Sequence, residues 1–462
     1  MALFRTTGRI GLPLALAALL PGTAAAQTIL EEITVTAQRR TENLQEVPIS
    51  VTPLAGERLQ SLFTAGEDIR ALATRIPSLY AESSNGRAAP RFYIRGLGNT
   101  DFDLAASQSV SVIFDEVVQE NVILKSFPLF DIQQVEVLRG PQGSLFGRNT
   151  PAGIVKFDTV KPSEEFDGYA SVALGTLETL NFEGAVGGGL IEDILSARLS
   201  VLYQHRGDWI DNAFTNESEA FGGHTEFATR LQLLYTPTDR LDVLLNLHSR
   251  SLDGTASVFR ANILTTGSND LNQNFDRETV FFDEGDNNPQ EYDGLGGSLR
   301  IDFDLNDTTT LTSITAHETV DGFSLGDIDG GFGAVFLPGG GGPGFIPFPS
   351  VTQDGIDSLD QFTQEFRLAS DATTALSWQA GVFFFDSEFA ITTNPFFIPA
   401  TTVAHSNESW AVFGQASYDV SDRLTVTAGA RYTDDEKDLD TPTVGRVSVS
   451  DDEISWDISA LY

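Results

Sequence analysis

The sequence predicts an all-β transmembrane barrel of antiparallel strands, preceded by a small α+β domain. Three observations predict it. After Gly168, segments of about ten residues alternate apolar and polar side chains without helical periodicity. The connections between them alternate short and long. Ahead of them, the chain mixes short helical and strand-like runs.

The alternation is clearest in residues 424–433, where Leu424, Val426, Ala428, Ala430 and Tyr432 face Thr425, Thr427, Gly429, Arg431 and Thr433. Residues 195–204 place Leu195, Ala197, Leu199, Val201 and Tyr203 opposite Ser196, Arg198, Ser200 and Gln204. Residues 295–305 set Leu295, Leu299, Ile301, Phe303 and Leu305 against Ser298, Arg300, Asp302 and Asp304. A soluble sandwich with one wet face also alternates with period two. The barrel is favoured because aromatic residues (Tyr203, Tyr235, Trp410, Tyr418, Tyr432) end the apolar faces as interfacial girdles do. The opposite faces carry Arg, Asp, Glu and Gln, as a watery lumen allows. Short turns fall at 236–240, 305–309, 370–374 and 420–423. Long connections fall at about 206–224, 252–290, 320–357, 388–405 and 434–452. Twelve strands are expected after Gly168.

In the preceding region, residues 56–73 carry Leu59, Leu62, Phe63, Ile69 and Leu72 at helical spacing, interrupted by Gly66, and predict two short helices. Residues 110–114 and 134–138 read as strands. Residues 1–26 read as an export signal: Arg5 and Arg9, an apolar run over 10–20, then Ala24, Ala25 and Ala26 before Gln27. That run is too short to cross a ~30 Å hydrocarbon core.

Composition excludes much else. With 65 acidic and 28 basic residues, the net charge of −37 repels nucleic acid. There is no cysteine, so no disulfide or thiolate site forms. Five dispersed histidines without HExxH spacing argue against zinc. No GxSxG or phosphate-binding GxxxxGK[ST] motif exists. No enzyme activity and no cofactor are expected.

Five short motifs then follow in order. Residues 31–37 (EEITVTA: Glu31, Glu32, Ile33, Thr34, Val35, Thr36, Ala37) form an acidic start and an extended β-branched run. They are followed by 47–54 (VPISVTPL), 94–98 (IRGLG, with Arg95 and Gly96), 137–143 (VLRGPQG, with Arg139, Gly140, Pro141 and Gly143) and 146–150 (FGRNT, with Gly147, Arg148 and Asn149). In this order they resemble the TonB-dependent outer-membrane receptors of siderophore-receptor type. The resemblance implies a plug domain inside a 22-stranded barrel in the outer membrane of a Gram-negative bacterium. It implies active uptake of a small-molecule ligand, an iron siderophore foremost. It also implies a periplasmic partner, TonB with the ExbB–ExbD complex, that pairs with residues 31–37. A passive porin or adhesive barrel is the alternative.

The chain then divides into a signal (1–26), a TonB box with its extension (27–40), the plug (41–165) and barrel strands (166–462). Asp115 and Glu116 stand where the family has Asp-Gly. Pro151, Ala152 and Gly153 stand where two glycines often follow. Arg95, Arg139 and Arg148 are expected to pair either within the plug or with wall carboxylates such as Glu226, Glu365, Asp302 or Asp457, holding the plug by polar contacts rather than an apolar seam. The glycine–proline tract 330–349, with Phe332, Phe336, Phe345 and Phe348, reads as a surface loop or a ligand-capture loop. Acidic stretches 283–288 and 433–440 read as solvated loops, with Ca²⁺ binding as the alternative.

Twelve strands fall short of 22. Strands ~4.8 Å apart and tilted about 40° give radii of roughly 12 Å and 22 Å for 12 and 22 strands. A plug of about 115 residues needs roughly 17 Å. The chain is therefore expected to be a partial receptor, a plug against an open half-barrel, with its own transport activity in question.

Overall fold

The computed structural model describes residues 34–462 except 37, 46, 147, 149, 261, 262, 266, 284, 332–350, 372, 373 and 396–398. The predicted export signal, the glycine–proline tract from 332 onward and parts of the predicted motifs lie outside the described residues.

The plug begins with two short strands, β1 (Thr34–Val35) and β2 (Glu42–Asn43), paired antiparallel. β3 (Ser50–Ala55) leads into α1 (Gly56–Phe63), whose Leu59 and Leu62 are buried one turn apart. Gly66, at φ +78°, redirects the chain after that helix. A 3₁₀ segment (Ile69–Thr74) follows, started by the Asp68 carboxylate accepting from Arg70 N–H at 2.9 Å. These are the two short helices that the spacing predicts. β4 (Leu79–Glu82) and β5 (Arg91–Ile94) form a hairpin-like pair. Then come β6 (Val110–Phe114), β7 (Val117–Gln119), β8 (Ile132–Arg139) and β9 (Gly153–Thr159).

A five-stranded sheet in the order β3-β8-β9-β6-β7 carries the plug core, with β6 parallel to β9 and the other pairs antiparallel. The core includes Leu59, Leu72, Phe92, Val110, Val135 and Phe157. Phe157 stacks on Phe114 with ring centroids 4.6 Å apart. Gly153 admits no side chain: at φ +144°, an added Cβ would lie 2.1 Å from the Leu138 carbonyl oxygen. In the Pro151–Ala152–Gly153 departure, the glycine that remains is the one the strand crossing requires.

The second unit is a twelve-stranded antiparallel sheet. Its strands are β10 (Asp167–Leu174), β11 (Leu180–Ile191), β12 (Leu195–Arg206), β15 (His224–Thr238), β16 (Leu241–Thr255), β18 (Pro289–Asn306), β19 (Thr309–Asp327), β20 (Val351–Ser370), β21 (Leu376–Asn394), β22 (Thr401–Ser421), β23 (Leu424–Thr441) and β24 (Gly445–Leu461), each paired with its neighbours in this order. Among the described residues, no ladder joins β10 to β24, so the sheet is open. Within two long connections, β13 (Ile210–Asn212), β14 (Glu217–Phe221) and β17 (Thr279–Val280) build a small sheet around Ile210, Phe221, Val280 and Phe282.

Burial runs inside out relative to a water-soluble sheet. On β12, Ser196, Arg198, Ser200 and Gln204 are buried under the plug while Leu199 is exposed. The same holds on the other strands: Arg230, Gln232, Glu365 and Arg431 are buried, while Phe227, Leu231, Phe303, Phe366, Val412 and Trp456 face outward and exposed. A continuous exposed apolar face over a polar interior suits lipid outside and a wet lumen inside. It disfavours the soluble sandwich. No helix among the described residues is long and apolar enough to cross a membrane.

All five connections closing on one edge of the sheet are short, at 192–194, 239–240, 307–308, 371–375 and 422–423. Two connections expected to be long are not. The ladder continues through most of 388–405 and 434–452, so β21 and β22 are joined over 395–400 and β23 and β24 over 442–444. Strands of 17 to 21 residues exceed the roughly 9–11 a bilayer needs. Beyond the lipid neither face must be apolar. The alternation stops there while backbone pairing continues, and composition reads as loop.

Truncating Phe157 to Ala should lower plug stability by about 3–5 kcal/mol. The urea midpoint of plug unfolding in the full chain measures this, and a loss below about 1 kcal/mol would contradict the central packing assigned to this ring.

Candidate functional site

The plug meets the inner wall through charges. The two-residue turn between β6 and β7 holds Asp115 and Glu116 at φ 46° and 70°, left-handed values that favour glycine. Each carboxylate is heavily engaged. Glu116 accepts from Arg300 (2.6 Å) and Arg367 (2.9 Å) of the wall and from Arg39 (3.3 Å) of the N-terminal segment. Arg39 also reaches wall Glu365 at 2.8 Å, and Arg367 reaches the same carboxylate at 2.8 Å. Burial would raise the Glu116 carboxyl, but the three guanidiniums outweigh it and hold it well below the usual range. Asp115 accepts from Lys161, from Thr159 and, at 3.3 Å, from Asn246 of the wall. Burial again opposes its ionisation, and Lys161 with Arg230 brings the carboxyl down to about 2.

Three more ionic groups span the seam. Asp131 of the plug takes Arg198 through both oxygens at 2.6 and 2.7 Å, with Ser200 beside it. Plug Arg87 meets Glu226 at 3.1 Å and Gln204 at 2.8 Å, while Arg250 holds the other Glu226 oxygen at 2.8 Å. Arg148 donates to Asp435 at 2.8 Å, lies 3.7 Å from Glu120, and caps the Phe385 ring at 4.0 Å.

Of the three cations singled out from the sequence, Arg148 therefore reaches the wall. Arg139 bonds within the plug, to the Pro77 carbonyl and Thr52 hydroxyl, both at 2.8 Å. Arg95 is exposed in a tight turn at φ 54°, next to Gly96 at φ 80°. Gly140 turns at φ 97°, Pro141 is exposed, and Gly143 packs beside Ser455 of β24. Gly147 and Asn149 lie outside the described residues. Of the four wall acids, Glu226 and Glu365 bind plug or N-terminal cations, and Asp302 serves Arg300, which in turn holds Glu116. Asp457 has no plug cation on it among the described residues.

Arg39, Arg87, Asp131 and Glu116 were missed as seam residues. For Glu116 and the wall arginines a signal existed: a carboxylate where the family turns on glycine, and arginines at polar positions of alternating strands.

Exclusive reliance on polar contacts is overturned nearer the long connections. There plug residues Ala88, Ala89, Leu104, Val122, Ile123 and Leu124 pack on wall Leu252, Tyr292, Val320, Ile356, Leu359 and Ile391. Inner positions above the lipid are free to be apolar when a plug loop covers them. Asn85 and Gly86 pin that loop to Ser324 at 3.0 Å and Ser257 at 2.9 Å.

At the opposite end lies the described part of the predicted box. Thr34 and Val35 pair with Asn43 and Glu42. Val35 is 1% exposed, packed with Ile113, Leu138 and Ile154. Thr36 N–H donates to Glu136 at 2.7 Å, and Lys156 donates to the Thr36 hydroxyl at 2.6 Å. Burial, partly offset by Lys156, raises the Glu136 carboxyl. The segment is thus a plug strand here, held by two ladder residues, the buried Val35 side chain and a few polar bonds. Glu31, Glu32, Ile33 and Ala37 lie outside the described residues.

In the long connections, Asp283, from the first acidic stretch, converges with Asp327 and Asp329, one oxygen from each lying within 4.8 Å of the others.

This geometry meets its counterpart in known proteins. Residues 43–154 match the TonB-dependent Receptor Plug Domain, and residues 234–462 match the TonB dependent receptor-like beta-barrel. The chain belongs to the TonB-dependent receptor family. It is 28% identical over 237 residues to the Pesticin receptor of Yersinia pestis, covering 49% of this chain and 34% of that protein. It is 25% identical over 257 residues to the Catecholate siderophore receptor Fiu of Escherichia coli K12, covering 52% and 30%. The crystal structure of the ferric yersiniabactin uptake receptor FyuA from Yersinia pestis superposes with a TM-score of 0.74 at 18% identity, covering 89% of this chain and 62% of that one. The closed form of Fiu gives 0.70 at 16%, covering 91% and 64%. The matched segments thus span about a third of the length of these curated relatives.

Replacing Glu116 with Gln should destabilise plug seating by about 3–5 kcal/mol, because three guanidiniums would then share Glu365 and Asp302. Glu116→Gly should also lose stability, even though it relieves the left-handed turn. Limited proteolysis of the plug reads both, and wild-type resistance in both variants would contradict the network. For Asp115, whose folded carboxyl sits below its unfolded value, the stabilisation is fully present above about pH 4 and lost as pH falls toward about 2. Asp115→Asn should flatten the acid limb of a pH–stability curve over that window.

Proposed function

We propose that the chain acts as an outer-membrane receptor of a Gram-negative bacterium, taking up a scarce nutrient by TonB-dependent active transport. A ferric siderophore is the favoured cargo, because relatives in sequence include a catecholate siderophore receptor. The observation that carries the reading is the placement of Thr34–Thr36. An extended segment pairs with the plug through only two ladder residues, with Val35 buried among plug side chains, and three residues later Arg39 enters the buried network that ties plug to wall.

Ligand would bind on the plug surface facing the long connections. TonB, with ExbB–ExbD behind it, would pair with residues 31–37 by adding a strand through main-chain hydrogen bonds. Pulling then peels Thr34 and Val35 from Asn43 and Glu42 and withdraws Thr36 from Glu136. The load arrives next at Arg39. Its departure would leave Glu116 and Glu365 with one cation fewer, and water entering the seam would solvate groups that are already charged. A seam of ion pairs separates into water at far lower cost than an apolar one of equal area, since its groups regain hydration. The protein's part is mechanical and performs no covalent step.

Deleting residues 31–37 should abolish energised uptake while leaving ligand binding at the cell surface intact. Val35→Pro, which removes one N–H donor and disturbs the strand, should act in the same direction. Undiminished uptake by the deletion strain, with normal surface expression, would sink the TonB-dependent reading.

A further inference from the structure

The outer face of the sheet carries a charged feature that uptake does not use. On five consecutive strands, β20 to β24, the lipid-facing run ends in Phe362, Phe384, Trp410, Tyr432 and Ile454. Two residues nearer the long connections, on the same face, stand Asp360, Asp386, Glu408, Asp434 and Asp452. The rings below them pack as a girdle, with centroids 6.2 Å apart for Phe362 and Phe384 and 5.4 Å for Trp410 and Tyr432. A two-residue step along a strand is roughly 7 Å, which sets these carboxylates just above the hydrocarbon, at headgroup height.

Register makes the belt more than a run of acids. Asp360 stands directly opposite Glu388, Asp386 opposite Glu408, Glu408 opposite Glu436, and Asp434 opposite Asp452. Further round the sheet, Asp293 opposes Asp321 and Asp253 opposes Glu291. Directly opposed side chains start about 5 Å apart, and like charges there repel. Little on this face relieves them. Asp360 meets His317 at 3.3 Å, Asp452 takes the Tyr432 hydroxyl, and Arg446 is engaged by Asp438. Asp386, Glu388, Glu408 and Glu436 have no ion-pair partner among the described residues. Charge therefore calls for a cation, and height independently calls for a lipid headgroup. An opposed pair offers oxygens from one side only, too few for the roughly six to eight that Ca²⁺ takes or the about six of Mg²⁺. The open positions face the headgroup layer.

Taking from the receptor reading only that the long connections face outward, we propose that this belt docks phosphate-bearing headgroups of the outer leaflet through shared divalent cations. Each cation sits between an opposed carboxylate pair and a headgroup phosphate. The row Asp386–Glu408–Glu436 across β21, β22 and β23 is its centre. Stripped of divalent cations, the same surface repels phosphate.

The test uses the full chain in zwitterionic detergent and a fluorescent phosphatidic acid, with binding followed by anisotropy in millimolar Mg²⁺ and in chelator. Binding should be about tenfold tighter in Mg²⁺, because a shared cation turns repulsion into attraction. A phosphatidylcholine probe should show no such gain. Asp386→Asn, Glu408→Gln and Glu436→Gln together should remove most of the gain. In chelator this triple variant should melt a few degrees above the parent, since its opposed charges are gone, and that readout also shows that it is folded. Equal affinity in Mg²⁺ and chelator, or a gain that survives the triple substitution, overturns the proposal. So does stabilisation of the parent by Mg²⁺ that is the same with and without phosphatidic acid, which assigns the cations to the protein alone. Tighter binding of an amine-bearing lipid without Mg²⁺ than of phosphatidic acid with it also overturns the assignment. Uptake that depends on residues 31–37 does not use this surface, so the receptor reading stands when headgroup docking fails.

Discussion

The structure turns on one buried anion. Glu116 sits at φ 70° in a two-residue turn, a conformation most side chains avoid, and gathers three guanidiniums from three places in the chain: Arg39 near the N-terminus, Arg300 in β18 and Arg367 in β20. Desolvating such a group is unfavourable by several kcal/mol, and the Coulomb return is comparable, so the network adds little net stability. What it adds is specificity of seating. Moving the plug by a few ångströms would strand the carboxylate or one of its cations, so the seam accepts a narrow range of registers. The family's glycine would be easier on the backbone and would carry no such anchor.

That seam has two characters along its length. Toward the short turns it is mainly ionic, through Glu116, Asp131, Asp115 and their partners, with smaller apolar contacts of Val117 on Ile314 and Ala316, Phe130 on Leu202 and Ala228, and Phe146 on Phe413. Toward the long connections it is apolar, where Leu104, Ile123 and Leu124 meet Tyr292, Ile356 and Leu359. The ionic part separates into water easily, and the apolar part resists separation because its surfaces must then be hydrated. On the function proposed above, force applied at Thr34–Thr36 would reach the ion-paired end of the plug first, which favours local remodelling near the N-terminal segment over ejection of the plug as a whole.

Much of this was legible from residue order. The twelve strands were readable because lipid on one side and lumen on the other impose period-two alternation. The paired short helices followed from Leu59, Leu62, Ile69 and Leu72. Errors concentrated where that constraint lapses. Above the bilayer, β23 runs Thr433-Asp434-Asp435-Glu436-Lys437-Asp438 with polar groups on both faces, so a continuing ladder looked like an acidic loop. Pairing across the seam was harder still. Arg148 reaches the wall and Arg139 does not, and nothing local to either motif distinguishes them.

The sequence alone determined the two-part architecture, the strand count, the side of each strand that meets lipid and the family. These depend on patterns within about ten residues of one another, which solvent and bilayer impose directly. Only the tertiary structure decided which charges share a site. Arg39 and Glu365 meet at 2.8 Å across 326 positions of chain, and Asp131 meets Arg198 across 67. Contacts at that separation are set by how a folded plug seats in a curved wall. A Coulomb pair leaves no periodic trace in the chain, because any carboxylate at an inward position could have served.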